Sequence, residues 1–191
     1  MFKNYYWFWE SEIKEEYLDK WIAEHFNEEQ LKQATINTNT EKNEYGLDEK
    51  IRKTDVLWIK PGTEIFDTIY QYIDSANKNA GWNFEITGME DVQLGRYTDG
   101  GFYDWHMDTF APDEGNFQRK LSCVIQMTDP SEYEGGDLIL KTGKNDTDVH
   151  TFTRKRGSVI VFPSMVYHKV TPVTKGTRFS AVAWMRGQAF K

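Results

Sequence analysis

Short strand-like runs separated by turn signals occupy the chain from Trp82 almost to its last residue, and no other feature limits the fold as much. Residues 92–97, 102–107, 121–127, 138–140, 149–152, 158–162, 168–170 and 178–184 are each rich in apolar, β-branched or aromatic side chains. Thr98-Asp99-Gly100-Gly101, Glu134-Gly135-Gly136-Asp137 and Gly157 supply turns between them, and Pro163 closes the most apolar run. Two amphipathic segments stand ahead of this region. Residues 11–26 carry Ile13, Tyr17, Trp21 and Ile22 at helical spacing with Ser11 as cap. Residues 63–79 carry Ile65, Phe66, Ile69, Tyr70 and Ile73 after Pro61-Gly62. The aromatic N-terminus, residues 29–36 and residues 56–59 read as further strands. Helices followed by many short strands predict an α+β, mainly β fold, with N-terminal helices packed on one sheet of a sandwich or barrel.

The chain of 191 residues fits one domain, with residues 1–85 as helical support and 86–191 as the β core. A single cysteine, Cys123, excludes an internal disulfide and a cysteine zinc site, and points to a reducing, cytoplasmic setting. The apolar N-terminus is too short for a membrane span and lacks a signal-peptide cleavage pattern. A formal charge of −7 argues against nucleic acid as the main partner. The basic run Arg154-Lys155-Arg156 reads as a solvated turn. Residues 37–52 are polar and long for a connection inside a compact domain, which predicts a lid or substrate-contact loop, with plain disorder as the alternative.

Chemistry concentrates at four side chains. On a strand, positions i and i+2 share a face, so His106 and Asp108 project together if the strand persists that far. His168 supplies a third donor from later in the chain. Two imidazoles and a carboxylate suit Fe(II) with positions left open, although zinc accepts the same set. Arg178 opens a run that reads as a buried strand, and an arginine there needs an anion, held best as a bidentate carboxylate. A dicarboxylate such as 2-oxoglutarate could chelate the metal at one end and meet Arg178 at the other. His-x-Asp alone is a weak signal, and His25 and His150 read as surface or packing residues.

Three longer segments carry a resemblance. They are Tyr97-Thr98-Asp99-Gly100-Gly101-Phe102-Tyr103-Asp104-Trp105-His106-Met107-Asp108, then Leu121-Ser122 with Tyr133-Glu134-Gly135-Gly136-Asp137-Leu138, then Gly157-Ser158-Val159-Ile160-Val161-Phe162-Pro163-Ser164 running on through His168 to Arg178. In order and spacing the sequence resembles the 2-oxoglutarate- and Fe(II)-dependent oxygenases of the prolyl 4-hydroxylase-like branch, PKHD-type hydroxylases above all. The resemblance implies a double-stranded β-helix, or jelly roll. It implies iron held by His106, Asp108 and His168, and 2-oxoglutarate paired with Arg178. It places Tyr97 beside the cosubstrate, Gln126 where relatives carry a second tyrosine, and Trp184 at the back of the site. It implies dioxygen as co-reactant, succinate and CO2 as products, and ascorbate as an accessory reductant. The implied substrate is a prolyl or other residue of a protein or peptide, gripped by Tyr103 and Trp105 and by Phe110 and Tyr167 near the mouth. The alternatives are a small molecule such as a free amino acid, or a nucleic acid.

Overall fold

A computed structural model describes residues 3–39 and 44–190. Its larger sheet is antiparallel and has the order Trp7–Trp9, Val159–Pro163, Phe117–Gln126, Arg178–Gln188, Val92–Tyr97, Asp55–Ile59, Lys32–Gln33, with Gly88–Met89 pairing beside Arg178–Gln188. The smaller sheet has the order Val149–Thr151, Leu138–Lys141, His168–Val170, Phe102–His106, Arg52–Lys53. The two sheets face each other as a jelly roll.

Side-chain alternation explains why both faces of the larger sheet are buried. Leu121, Cys123 and Ile125 join Ala181, Ala183 and Met185 in one apolar cluster with Leu18 and Trp21 of helix α1 (Glu15–His25) and with Ile65, Ile69 and Ile73 of helix α2 (Glu64–Asn79). The intervening Val124, with Ile160 and Phe162, belongs to a second cluster between the sheets, alongside Leu138, Leu140 and Val170. Strands covered on both faces read as near-continuous apolar runs, which is the pattern seen at 121–127 and 158–162.

Several local expectations change. Helix α1 begins at Glu15, and Ser11 does not cap it. Ser11 has φ 50° and its N–H donates to Ser158 Oγ, while Ile13 N–H donates to the Gly157 carbonyl. This stretch is spent tethering the N-terminus to the turn before Val159–Pro163. Gly157 is required there, since a Cβ would lie 2.2 Å from the Ile13 carbonyl oxygen. Helix α2 starts as predicted, with the Thr63 hydroxyl accepting from Phe66 N–H. Residues 29–36 divide into a 3-10 turn, Glu28–Gln30, and the two-residue strand Lys32–Gln33, because the Asn27 side chain caps Glu29 N–H and winds the chain locally.

The predicted loop 37–52 is largely a hairpin: Ile36–Asn39 pairs with Glu44–Gly46, and Arg52–Lys53 then joins the smaller sheet. Residues 40–43 of that loop lie outside the described residues. Among the described residues, no helix is long and apolar enough to cross a membrane.

Candidate metal centre and cosubstrate pocket

His106 ends the Phe102–His106 strand, and His168 begins the adjacent His168–Val170 strand; the two residues are paired in register. Their rings lie 4.1 Å apart. Asp108 sits just beyond the strand end. The N–H groups of Asp108 and Thr109 both donate to the Ser164 carbonyl, which holds this exit against the segment after Pro163. Asp108 Oδ1 lies 3.7 Å from His106 Nε2, and Oδ2 lies 3.4 Å from His168 Nε2. One ligand atom from each residue falls within 4.8 Å of the others. The i, i+2 expectation is thus met through a pinned strand exit instead of a continued strand.

The donor set suits a divalent metal. His106 Nδ1 pairs with the Asp104 carbonyl at 2.7 Å, and His168 Nδ1 with the Val166 carbonyl at 3.0 Å. Each Nδ1 therefore carries the proton, and each Nε2 presents a lone pair toward Asp108. Burial and the nearby His168 hold the His106 imidazole down at about 3, hence neutral. Burial opposes ionisation of Asp108, but His168, His106, Arg119 and the Ser122 hydroxyl outweigh it and hold the carboxyl at about 2. Ser122 Oγ donates to Asp108 Oδ2 at 2.7 Å and also contacts Ser164 Oγ at 2.9 Å.

The three donors line a cavity of about 310 Å³ whose other walls include Arg52, Gln93, Tyr97, Tyr103, Arg119, Arg178 and Trp184. Arg178 is 1% exposed; its Nη2 donates to Gln126 Oε1 at 2.8 Å, and the Tyr133 hydroxyl lies beside the guanidinium. Among the described residues its buried Nε and Nη1 have no hydrogen-bond partner. A buried guanidinium with a neutral amide for company is an uncompensated cation, and a carboxylate fits it. Tyr97 stands opposite Arg178 in the sheet register, with the guanidinium carbon 5.1 Å from its ring centroid.

Trp184 lines the same cavity, and among the described residues its buried Nε1 has no hydrogen-bond partner. Tyr103 lines it too, but Trp105 does not. His106 pairs with His168 while Tyr103 pairs with Val170, a bulge that sets two residues, Asp104 and Trp105, against one, Lys169. The bulge turns Tyr103 and His106 to one side. Trp105 lies under the ammonium groups of Lys141 and Lys169. Phe110 lines the cavity, whereas Tyr167 is exposed outside it. His150 stacks on Tyr6, and His25 lies in α1, so neither joins the centre.

Arg119 was not legible as a site residue. Its guanidinium lies 3.8 Å from the Trp184 ring centroid and forms a bidentate pair with Glu90. A register shift between Arg119 and Leu121 explains this. It moves Arg119 off the helix-facing side that its spacing from Leu121, Cys123 and Ile125 would give it.

The fold and these side chains define a jelly-roll protein with two histidines and one carboxylate that could hold a metal, beside a buried arginine. Residues 92–186 match the family model described as the 2OG-Fe(II) oxygenase superfamily, and the chain belongs to that family. A PKHD-type hydroxylase of Synechococcus sp. (strain CC9605) is 38% identical over 100 residues, covering 52% of this chain and 43% of that protein. The chain thus spans less than half the length of this curated relative. A Pseudomonas putida prolyl-4-hydroxylase structure superposes with TM-score 0.73 at 23% identity, covering 98% of this chain and 95% of the other. A Trichoplax adhaerens prolyl hydroxylase, solved with a fragment of the hypoxia inducible factor oxygen degradation domain, gives TM-score 0.69 at 16% identity, covering 96% and 84%.

Proposed function

We propose that this chain is a single-domain, cytoplasmic 2-oxoglutarate- and Fe(II)-dependent dioxygenase that hydroxylates a C–H bond of a prolyl or other residue in a protein or peptide, with release of succinate and CO2. The observation that carries this reading is the convergence of His106, Asp108 and His168 on the cavity where Arg178 keeps two buried, unpaired nitrogens. Fe(II), 2-oxoglutarate and dioxygen supply the oxidising chemistry, with ascorbate maintaining the ferrous state.

The chain's own residues position and exclude. His106 and His168 offer Nε2 donors whose tautomers are fixed by backbone carbonyls. Asp108 offers a carboxylate held ionised, with Ser122 fixing one oxygen. Arg178 takes the distal carboxylate of the cosubstrate, and Gln126 orients the guanidinium in the place of a second tyrosine. Tyr97 walls the cosubstrate end beside Arg178, Trp184 lines the cavity beside Arg119, and Tyr103 walls it beside His106. The peptide reading is supported by the bound peptide of the Trichoplax structure and by a second surface pocket that shares Phe110, Arg119 and Tyr45 with the cavity.

Purified protein with Fe(II), ascorbate, 2-oxoglutarate and oxygen is expected to form succinate above a His106→Ala control, more so with proline-containing peptides. No succinate above that control would overturn the oxygenase reading. Stimulation by free amino acids alone would replace the peptide substrate by a small molecule.

A further inference from the structure

The cavity holds a second buried cation that the chemistry above does not use. Arg52 is 7% exposed, lines the cavity, and has an Nε buried without a partner. Among the described residues its guanidinium makes no hydrogen bond and no ion pair; its only neighbour of note is the Tyr103 ring, 4.5 Å from the guanidinium carbon to the centroid. The location is specified by the sheet. Arg52 pairs with Tyr103, Tyr103 with Val170 and Val170 with Leu138, and all four residues line the cavity in one row across the smaller sheet. Arg52 is therefore at the sheet's edge, one strand beyond His106 and on the far side of it from His168.

Charge balance says what this cation is for. Among the described residues the cavity is lined by three arginines and one acid, Asp108, in a chain whose net charge is −7. Arg119 is neutralised by Glu90. With the proposed occupants in place, Fe(II) and Arg178 together balance Asp108 and the two carboxylates of 2-oxoglutarate. Among the described residues Arg52 remains as the one positive charge without a counter-charge, in largely buried surroundings. A guanidinium so placed favours a ligand that brings an anion with it, and a flat fork of donors favours a carboxylate. The ring of Tyr103 orients the fork but does not neutralise it.

We infer that Arg52 is a specificity residue that takes a carboxylate of the substrate, so that the preferred substrate is acidic next to the carbon being oxidised. This rests on the oxygenase reading for the identity of the cavity's other occupants. The carboxylate has two sources of the same chemistry, an Asp or Glu side chain flanking the target in a peptide, or the terminal carboxylate of a short peptide or free amino acid.

The test is anaerobic binding to protein loaded with Mn(II) and 2-oxoglutarate, followed by calorimetry. The probes are blocked proline peptides carrying glutamate, glutamine or lysine beside the proline, the same peptides with a free C-terminal carboxylate, and free glutamate. Glutamate peptides or free-carboxylate probes are expected to bind at least tenfold more tightly than their neutral counterparts, and the comparison of the two arms identifies the source. Arg52→Gln should abolish the preference, Arg52→Lys should retain part of it, and Arg52→Glu should invert it toward the lysine peptide. Unchanged 2-oxoglutarate affinity in these variants shows that the pocket is intact. Equal binding of charged and neutral probes, a preference that survives Arg52→Gln, or no binding of any carboxylate probe would overturn the inference. Succinate formation stimulated equally by glutamate and glutamine peptides would defeat it while leaving the oxygenase reading standing. A retained carboxylate preference without succinate would do the reverse.

Discussion

Tyr103 lies flat on His106, with ring centroids 3.4 Å apart and planes 11° from parallel. The imidazole is thus clamped on its face by Tyr103 and at Nδ1 by the Asp104 carbonyl, so its Nε2 has little freedom of aim. Burial raises the Tyr103 phenol to about 12, which keeps it neutral at ordinary pH. Its contribution to the metal centre is therefore the ring and not a charge. Tyr103→Leu is expected to weaken Mn(II) or Co(II) binding by about 10–100-fold, as losses around a metal's ligands do. Tyr103→Phe should stay close to the parent. The check is metal titration together with the visible absorption band of the Co(II) form, whose position should shift in Leu and not in Phe. Equal affinity and equal spectra in all three proteins would remove Tyr103 from any role in orienting His106.

Arg178 makes opposite predictions for stability and for ligand binding. Its side chain is buried with Nε and Nη1 unpaired, so the metal- and ligand-free protein carries an unfavourable charge. Arg178→Met keeps the apolar stem and deletes that charge. The apo variant is expected to melt at or above the parent's temperature. Its 2-oxoglutarate affinity should fall at least a hundredfold, on the order of the 2–5 kcal/mol lost when one member of a buried charged pair is removed. Mn(II) binding without cosubstrate should be unchanged. A variant that melts well below the parent would show that the guanidinium stabilises the apo fold, and an unchanged cosubstrate affinity would remove Arg178 from the anion site.

How much of this was legible in the sequence follows from how regular the local backbone is. Leu121, Cys123 and Ile125, like Ala181, Ala183 and Met185, alternate faithfully with pocket-facing neighbours, so the jelly roll and the sides its residues take can be read by counting in twos. His106, Asp108, His168 and Arg178 were legible because each belongs to a segment with flanking turns in a recognisable order. Counting fails where the backbone inserts a residue. The bulge near Asp104 separates Tyr103 from Trp105, and the shift near Lys120 brings Arg119 into the cavity. Neither position carries a glycine or proline to announce it. The hairpin at Ile36–Asn39 and Glu44–Gly46 was hidden for a different reason: its sequence is polar and lacks the apolar alternation that marks a half-buried strand.

The metal-free protein should lose stability in mild acid, and the sign follows from His106. Its imidazole binds a proton near 6.5 when unfolded but only near 3 in the folded chain, because burial and His168 disfavour the cation. Between those values the unfolded state holds more protons, so stability rises with pH across the window and is fully present above 6.5. Asp108, held at about 2 against 3.8, adds stability that is present above 3.8 and lost as pH falls toward 2. Melting temperatures of the chelator-treated protein are therefore expected to fall as pH drops from 6.5 to 4.5. His106→Asn should flatten that slope. A parent protein equally stable at both pH values would contradict the buried, neutral imidazole.

Gly136 links backbone geometry to the cosubstrate site. Its φ is +64°, and a Cβ there would lie 2.8 Å from Arg178 Cδ and 3.0 Å from Val173 Cγ2. The bare backbone lets the Arg178 stem pass beneath the turn on its way to the cavity. Gly136→Ala meets two penalties, a left-handed conformation without glycine and a collision with a side chain fixed at its far end by Gln126. Strain of this kind costs about 1–3 kcal/mol. In a chain of this size each kcal/mol lowers the melting temperature by roughly 2–4 °C. Because Arg178 must shift to relieve the contact, 2-oxoglutarate affinity should fall along with Tm, while Mn(II) affinity holds, since His106, Asp108 and His168 sit on other segments. Gly135→Ala supplies the control. Its Cβ would strike the Pro172 carbonyl oxygen at 2.1 Å and not Arg178, so it should destabilise the fold with less effect on cosubstrate affinity per degree of Tm lost. Parallel losses in the two variants would mean that Gly136 serves the turn alone.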